Sequence, residues 1–167
     1  MITVLIRVRH GAEALAVTLS ALIPAVADGL IADAVVLVSK ADDTVASVAE
    51  AVGATLVIAE SGDWALGATN AKRDWLLCLD DGDVPTDGWI RTLERFVALS
   101  PPGRRLGRLG RRTGTAEKRL RRTLRALIAP KRVQAGDLVR RAVLTGGTAT
   151  DRPVRVGAWI ERDPVFD

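Results

Sequence analysis

Among 167 residues the chain has one cysteine, one histidine, two phenylalanines and no tyrosine. The lone Cys78 has no partner for a disulfide or a thiolate metal site, which fits a reducing, cytoplasmic compartment and a packing role. A glycine-rich phosphate loop is missing too. The first β-rich run, residues 2–8, leads into Arg9, His10, Gly11 and Ala12, which supplies neither GxGxxG nor GxxxxGK[ST]. That argues against a dinucleotide oxidoreductase and against an NTPase. No apolar stretch approaches the length needed to cross a bilayer, and Arg7 and Arg9 interrupt the first apolar run where a secretory signal would have none.

What remains is 48% apolar and 26% charged, the composition of one globular, soluble domain with a proper core. Its net charge of +4 hides an asymmetry. Residues 1–103 hold 7 Lys/Arg against 14 Asp/Glu (net −7), residues 104–141 hold 14 against 2 (net +12), and residues 142–167 hold 3 against 4 (net −1). An acidic half followed by a concentrated basic arm implies two different partners.

Along the acidic half, short apolar runs alternate with helical patterns. Residues 2–8, 35–38, 55–59 and 75–79 read as strands. Between them, Leu15, Leu19, Leu22 and Ile23 mark a helix that Pro24 interrupts. Asp42 or Asp43 caps a second helix that Gly53 closes, and residues 65–71 form a short third. Ile90, Leu93 and Val97 mark a fourth. Strands and helices alternating at this spacing predict a parallel, right-handed βαβ sheet covering residues 1–100. Residues 101–114, rich in Pro, Gly and Arg, read as a flexible loop. Residues 115–167 complete the same domain, with a basic amphipathic helix at 115–128, a helix near 135–144 and an alternating strand at 154–160.

The segment WLLCLDDGDVP, residues 75–85, carries the most chemistry. Leu76, Leu77, Cys78 and Leu79 do not alternate with polar residues, so both faces of this strand should be covered. Asp80, Asp81 and Asp83 follow at its carboxyl edge, where open α/β sheets bind ligands. Three carboxylates this close repel unless a cation or a proton offsets them, and oxygen-only ligands favour Mg2+ or Mn2+ bound together with a substrate phosphate. A solvated acidic turn is the competing reading. His10 falls at the carboxyl end of the first strand, beside the acidic turn, as a ligand contact or a hydrogen-bonded loop residue. Trp64, Trp75 and Trp89 read as packing anchors, whereas Trp159 falls opposite the apolar alternation of its strand and suits stacking.

The basic arm allows several uses. Arg104, Arg105, Arg108, Arg111 and Arg112 could clamp phosphate as a lid. With Leu120, Leu124, Leu127 and Ile128 on one face, the helix at 115–128 could lie on an anionic membrane. Nucleic acid is disfavoured, because aromatic residues are not interleaved with the arginines. A solvated basic face is the plain alternative.

The motifs themselves resemble a known family. Ala71, Lys72, Arg73, Asp74 and Trp75 match the Ala-Arg-x-Asp-Trp lead into the fourth strand of family 2 glycosyltransferases of GT-A fold. Leu79 to Asp83 match the Leu-Asp-x-Asp motif, with the second acid of that motif falling on Gly82 unless Asp81 or Asp83 substitutes. Pro85, Thr86, Asp87, Gly88 and Trp89 match the Pro-x-x-Gly-Trp exit. The likeness runs over residues 2–99. It implies a GT-A-like (Rossmann-like) α/β fold, a mostly parallel sheet flanked by helices, with a reduced C-terminal half. It further implies a nucleotide-sugar donor held by Arg9, His10, Ser39, Asp80 and Asp81, and a Mg2+ or Mn2+ ion at Asp81 and Asp83. Asp137 is the candidate catalytic base, with Glu161 and Asp163 as the other candidates. The function implied is glycosyl transfer to an envelope or lipid-linked acceptor by a cytoplasmic protein, peripheral at the inner face of the membrane. The alternative is an inactive GT-A-like module docking through its arginine arm on a membrane, a partner or RNA.

Overall fold

The computed structural model describes residues 1–59, 63–101, 106–112, 133–146 and 153–166. In chain order these form β1 (Ile2–Arg7), α1 (Ala12–Ala27), β2 (Ile31–Val38), α2 (Asp43–Ala51), β3 (Thr55–Ile58), α3 (Trp64–Asn70), β4 (Trp75–Asp80), β5 (Asp83–Pro85), α4 (Trp89–Leu99), β6 (Leu106–Arg112), β7 (Asp137–Arg140), α5 (Arg141–Thr145) and β8 (Val154–Arg162), with a 3-10 turn at Pro164–Phe166. The strands make one sheet in the order β3-β2-β1-β4-β7-β6-β8-β5. From β3 to β4 every pairing is parallel, as alternating strands and helices predict. Beyond β4 the sheet is mixed: β7 runs antiparallel to β4 and β6, β8 is parallel to β6, and β5 is antiparallel to β8.

The unbroken apolar runs of β1 and β4 serve two cores at once. Val4, Ile6, Leu77 and Leu79 face a cluster that includes Leu15, Leu22 and Leu93 from α1 and α4. Leu5, Leu76 and Cys78 face the opposite cluster with Trp64, Ala68 and Val143 from α3 and α5. All seven strand residues are fully buried. A buried leucine contributes about 1.5–3 kcal/mol relative to an exposed one, so these central strands anchor the domain. Trp64, Trp75 and Trp89 are buried as anchors, while Trp159 is 45% exposed.

Local chemistry explains the helix limits. The Asp42 carboxylate accepts from the amides of Thr44 and Val45 and caps α2. α1 does not stop at Pro24, however. It continues to Ala27, because Leu22 and Ala25 are buried on either side of the proline and the Pro24 carbonyl still accepts from the Asp28 amide at 2.9 Å.

Two other expectations are corrected. Residues 106–112, read as part of a flexible loop, form β6. Its glycines are close-packing positions: a Cβ on Gly107 would lie 2.7 Å from Val156 and 2.8 Å from Phe96, and one on Gly110 would lie 2.2 Å from the Trp159 ring. The helix expected near 135–144 is instead a turn, the strand β7 and the five-residue α5, because Leu138 and Val139 pair with β4 and β6. The strand expected at 154–160 is present as β8. The amphipathic segment 115–128 lies outside the described residues, as do Arg104 and Arg105. Among the described residues no helix is long and apolar enough to cross a membrane.

Candidate functional site

The carboxyl ends of β1, β2 and β4 converge on one edge of the sheet. Arg7 of β1 pairs in register with Asp80 of β4, and its guanidinium meets the Asp80 carboxylate at 2.8 and 2.9 Å. Beyond Asp80 the chain turns through Asp81 and Gly82 into β5. Gly82 holds φ +80°, a conformation suited to glycine.

Asp81 is fully buried, and its carboxylate organises the loop after β1. One oxygen accepts from the amides of Arg9 (2.9 Å), His10 (2.6 Å) and Gly11 (3.2 Å), and the other meets His10 Nδ1 at 2.9 Å. Both oxygens of buried Asp83 are also engaged. Arg111 donates to them in a fork at 2.6 and 2.7 Å, the Asp80 amide adds a 3.0 Å bond, and Arg162 approaches at 3.4 Å. The expected ligand pair Asp81 and Asp83 is therefore committed to protein donors. Among the described residues no three His, Cys, Asp or Glu side chains are grouped to hold a metal ion. Asp80 differs: its Oδ1 belongs to Arg7, while Arg162 approaches its Oδ2 at 3.9 Å. The donor set thus fits a cation carried in by a diphosphate and completed by Asp80, since Mg2+ commonly takes one or two carboxylates plus substrate phosphates. It does not fit a cation held by protein groups alone.

Next to this turn lies an open cavity of about 260 Å3. Val8, Val38 and Val45 supply apolar walls, and Arg9, His10, Ser39 and Lys40 supply polar groups. The structure thus brings together Arg9, His10 and Ser39, which the sequence placed at these strand ends, with Asp80 beside them. Arg9 is available to a ligand: its side chain is 54% exposed and its Nε stands 4.0 Å from Asp80.

Asp137, the expected base, is elsewhere. It begins β7, is fully buried, and is held by Arg108 at 2.6 and 2.8 Å and by the Gln134 amide at 2.9 Å. Burial raises its pKa above the ordinary aspartate value, with Arg108 opposing. The Asp137 carboxylate is thus closed to solvent and paired internally with Arg108. Arg108, Arg111 and Arg112, expected to meet phosphate or a membrane, pair with Asp137, Asp83 and Glu161. Sequence reading missed Arg162 and Phe166 at the acidic turn, and it gave Arg7 no pairing with Asp80. The one signal for Arg7 was a charge inside an apolar strand.

No protein-family model matches the chain, and no curated protein matches it in sequence. Solved structures do match in fold. Glucosyl-3-phosphoglycerate synthase from Mycobacterium tuberculosis, in complex with Mn2+, UDP-glucose and phosphoglyceric acid, superposes with a TM-score of 0.64 at 19% identity, over 86% of this chain and 57% of that one. The same enzyme with Mg2+ and UDP gives 0.65 at 15% identity, over 98% and 71%. A further crystal structure, described as a mycobacterial protein, gives 0.64 at 17%, over 98% and 67%. In the first of these superpositions the chain spans little more than half of its neighbour's length. Likeness at this identity concerns the backbone, and on that level the resemblance drawn from residues 71–89 holds: the chain has a GT-A-like α/β fold.

Proposed function

We propose that the protein binds a nucleoside-diphosphate sugar at the edge formed by Arg9, His10, Ser39 and Asp80, and that it is a glycosyltransferase using an envelope or lipid-linked acceptor. The observation that carries the reading is the cavity at the ends of β1 and β2, which opens beside Asp80 in a fold shared with solved UDP-glucose-binding enzymes. The valine walls suit a nucleobase, and Arg9 and Lys40 suit the charge of a diphosphate. Mg2+ or Mn2+ enters with the diphosphate, and when bound it would stabilise the departing nucleoside diphosphate as a Lewis acid.

Calorimetry with UDP and UDP-glucose, with and without Mn2+, tests this. Binding should appear in the wild type and strengthen with Mn2+, and Asp80→Asn should remove the Mn2+ dependence. A ligand at a hundred times its Kd should stabilise the fold by about 2.7 kcal/mol in a parallel thermal scan. No binding of any nucleoside diphosphate under either condition overturns the reading.

One observation favours a second reading, a non-catalytic module of the same fold docking through its arginine arm. Asp81, Asp83 and Asp137 are all committed to internal bonds. Tight UDP-glucose binding with no release of UDP in the presence of candidate acceptors would select the module. Binding to vesicles of anionic lipid, weakened by salt, would support membrane docking by either form.

A further inference from the structure

We propose that Arg162 is the phosphate-binding arginine of this site, and that the turn 163–166 is a placeholder displaced when a diphosphate enters. The inference rests on the donor reading above and adds to it a ligand group and a moving part.

The three guanidinium groups at the acidic turn differ in how well they are satisfied. Arg7 holds Asp80 at 2.8 and 2.9 Å, and Arg111 forks Asp83 at 2.6 and 2.7 Å. Among the described residues Arg162 makes only long contacts: 3.4 Å to Asp83, 3.9 Å to Asp80 and 3.5 Å to the Phe166 carbonyl. Its Nε is buried and has no hydrogen-bond partner among the described residues. A buried donor left unmade is costly, and charge-assisted bonds to phosphate oxygens are stronger than one to a neutral carbonyl. Arg162 therefore gains most from an incoming diphosphate. Arg9 stands on the other oxygen of the same Asp80 carboxylate, so the two arginines would take the anion from two sides.

The turn that now occupies Arg162 is lightly held. The Asp163 amide donates to the Gly82 carbonyl at 2.9 Å, and the Phe166 side chain lies over Gly82, where an added Cβ would be 3.2 Å away. Val165 is 80% exposed and anchors nothing. The Phe166 ring also stands 6.4 Å from the His10 ring, so it covers the boundary between the acidic turn and the cavity. One aromatic contact and one long-range amide bond make a segment that can open without unfolding the sheet.

The test combines UDP calorimetry with hydrogen exchange. Arg162→Gln should weaken UDP binding about tenfold to a hundredfold, the loss expected for a hydrogen bond to a charged group, and leave uridine binding unchanged. Phe166→Ala removes the cover without touching Arg162 or the carboxylates, and should tighten UDP binding severalfold. In the wild type, saturating UDP should speed exchange of the Asp163 amide and leave the Gly82 amide, which bonds Ala14 O, protected. If UDP binds but Phe166→Ala does not tighten it, or the Asp163 amide keeps its protection under saturating UDP, the placeholder is wrong while the donor reading stands. If neither wild type nor Phe166→Ala binds UDP, both fall together.

Discussion

Strands β1, β2 and β4 pair in parallel and bury mostly aliphatic side chains on both faces, whereas the sheet beyond β4 adds a ladder of arginine–carboxylate pairs. Arg108 forks Asp137, Arg111 forks Asp83, Arg112 meets Glu161, and Arg140 bonds Asp74 while its guanidinium lies 4.4 Å over Trp75. Apart from Arg7–Asp80 and Thr3–Asp33, the side chains of the first region are organised by non-directional burial, those of the second by geometry at particular atoms. Burial tolerates local rearrangement, but a buried ion pair holds only while both partners are present. The acidic turn lies at the seam, with Asp80 at the end of a parallel strand and Asp83 at the start of an antiparallel one. That position explains how three carboxylates coexist within four residues: Arg7 from the first region and Arg111 and Arg162 from the second surround two of them, and backbone amides take the third.

The largest effect expected is on the buried pair. Arg108→Met leaves buried Asp137 without its counter-ion, and should destabilise the fold by about 3–5 kcal/mol in urea unfolding. Adding Asp137→Leu should return most of that loss, since an apolar pair of similar size is often as stable as the ion pair it replaces. Failure of the double variant to recover would mean that the second region depends on burial as the first does. In the first region Leu77→Ala should cost about 2–5 kcal/mol, and no single second substitution of a contacting residue should restore it.

A smaller effect separates the glycines of the second region. Gly107→Ala forces a Cβ against Val156 and Phe96 and should cost about 1–3 kcal/mol, while Gly157→Ala meets nothing within 4 Å and should be near neutral. Equal losses at the two positions would show that β6 is not packed as closely as its neighbours require.

This contrast also decides what could be read in advance. Apolar runs and a capping Asp42 are local signals, so β1, β4 and α2 were legible from their own residues. In β6, Leu-Gly-Arg-Leu-Gly-Arg-Arg reads as loop because its glycines answer to Phe96, Val156 and Trp159, and its arginines to carboxylates 28 and 29 residues away. The same holds at the site. Arg9, His10 and Ser39 follow from strand ends, but the engagement of Asp81 by amides about 70 residues upstream, and of Asp83 by Arg162 79 residues on, exists only in the folded chain.

The smallest effect expected lies at Asp42, beside the cavity, and returns to the first region. Its carboxylate bonds the Thr44 hydroxyl and the amides of Thr44 and Val45, and those bonds, aided by Lys40, hold its pKa below the ordinary aspartate value. A carboxylate whose pKa is lower in the folded than in the unfolded state stabilises the fold at neutral pH, and that contribution is lost as pH falls through the folded value. Asp42→Ala should therefore lower thermal stability at pH 7, by less than either substitution series above, and the difference from wild type should close below the ordinary aspartate range. Asp42→Asn keeps an oxygen to accept the amides but has no proton to take up, so its stability relative to Asp42→Ala should not change across that window. A constant gap between wild type and Asp42→Ala from pH 7 down to pH 2 would show that the cap acts without its charge.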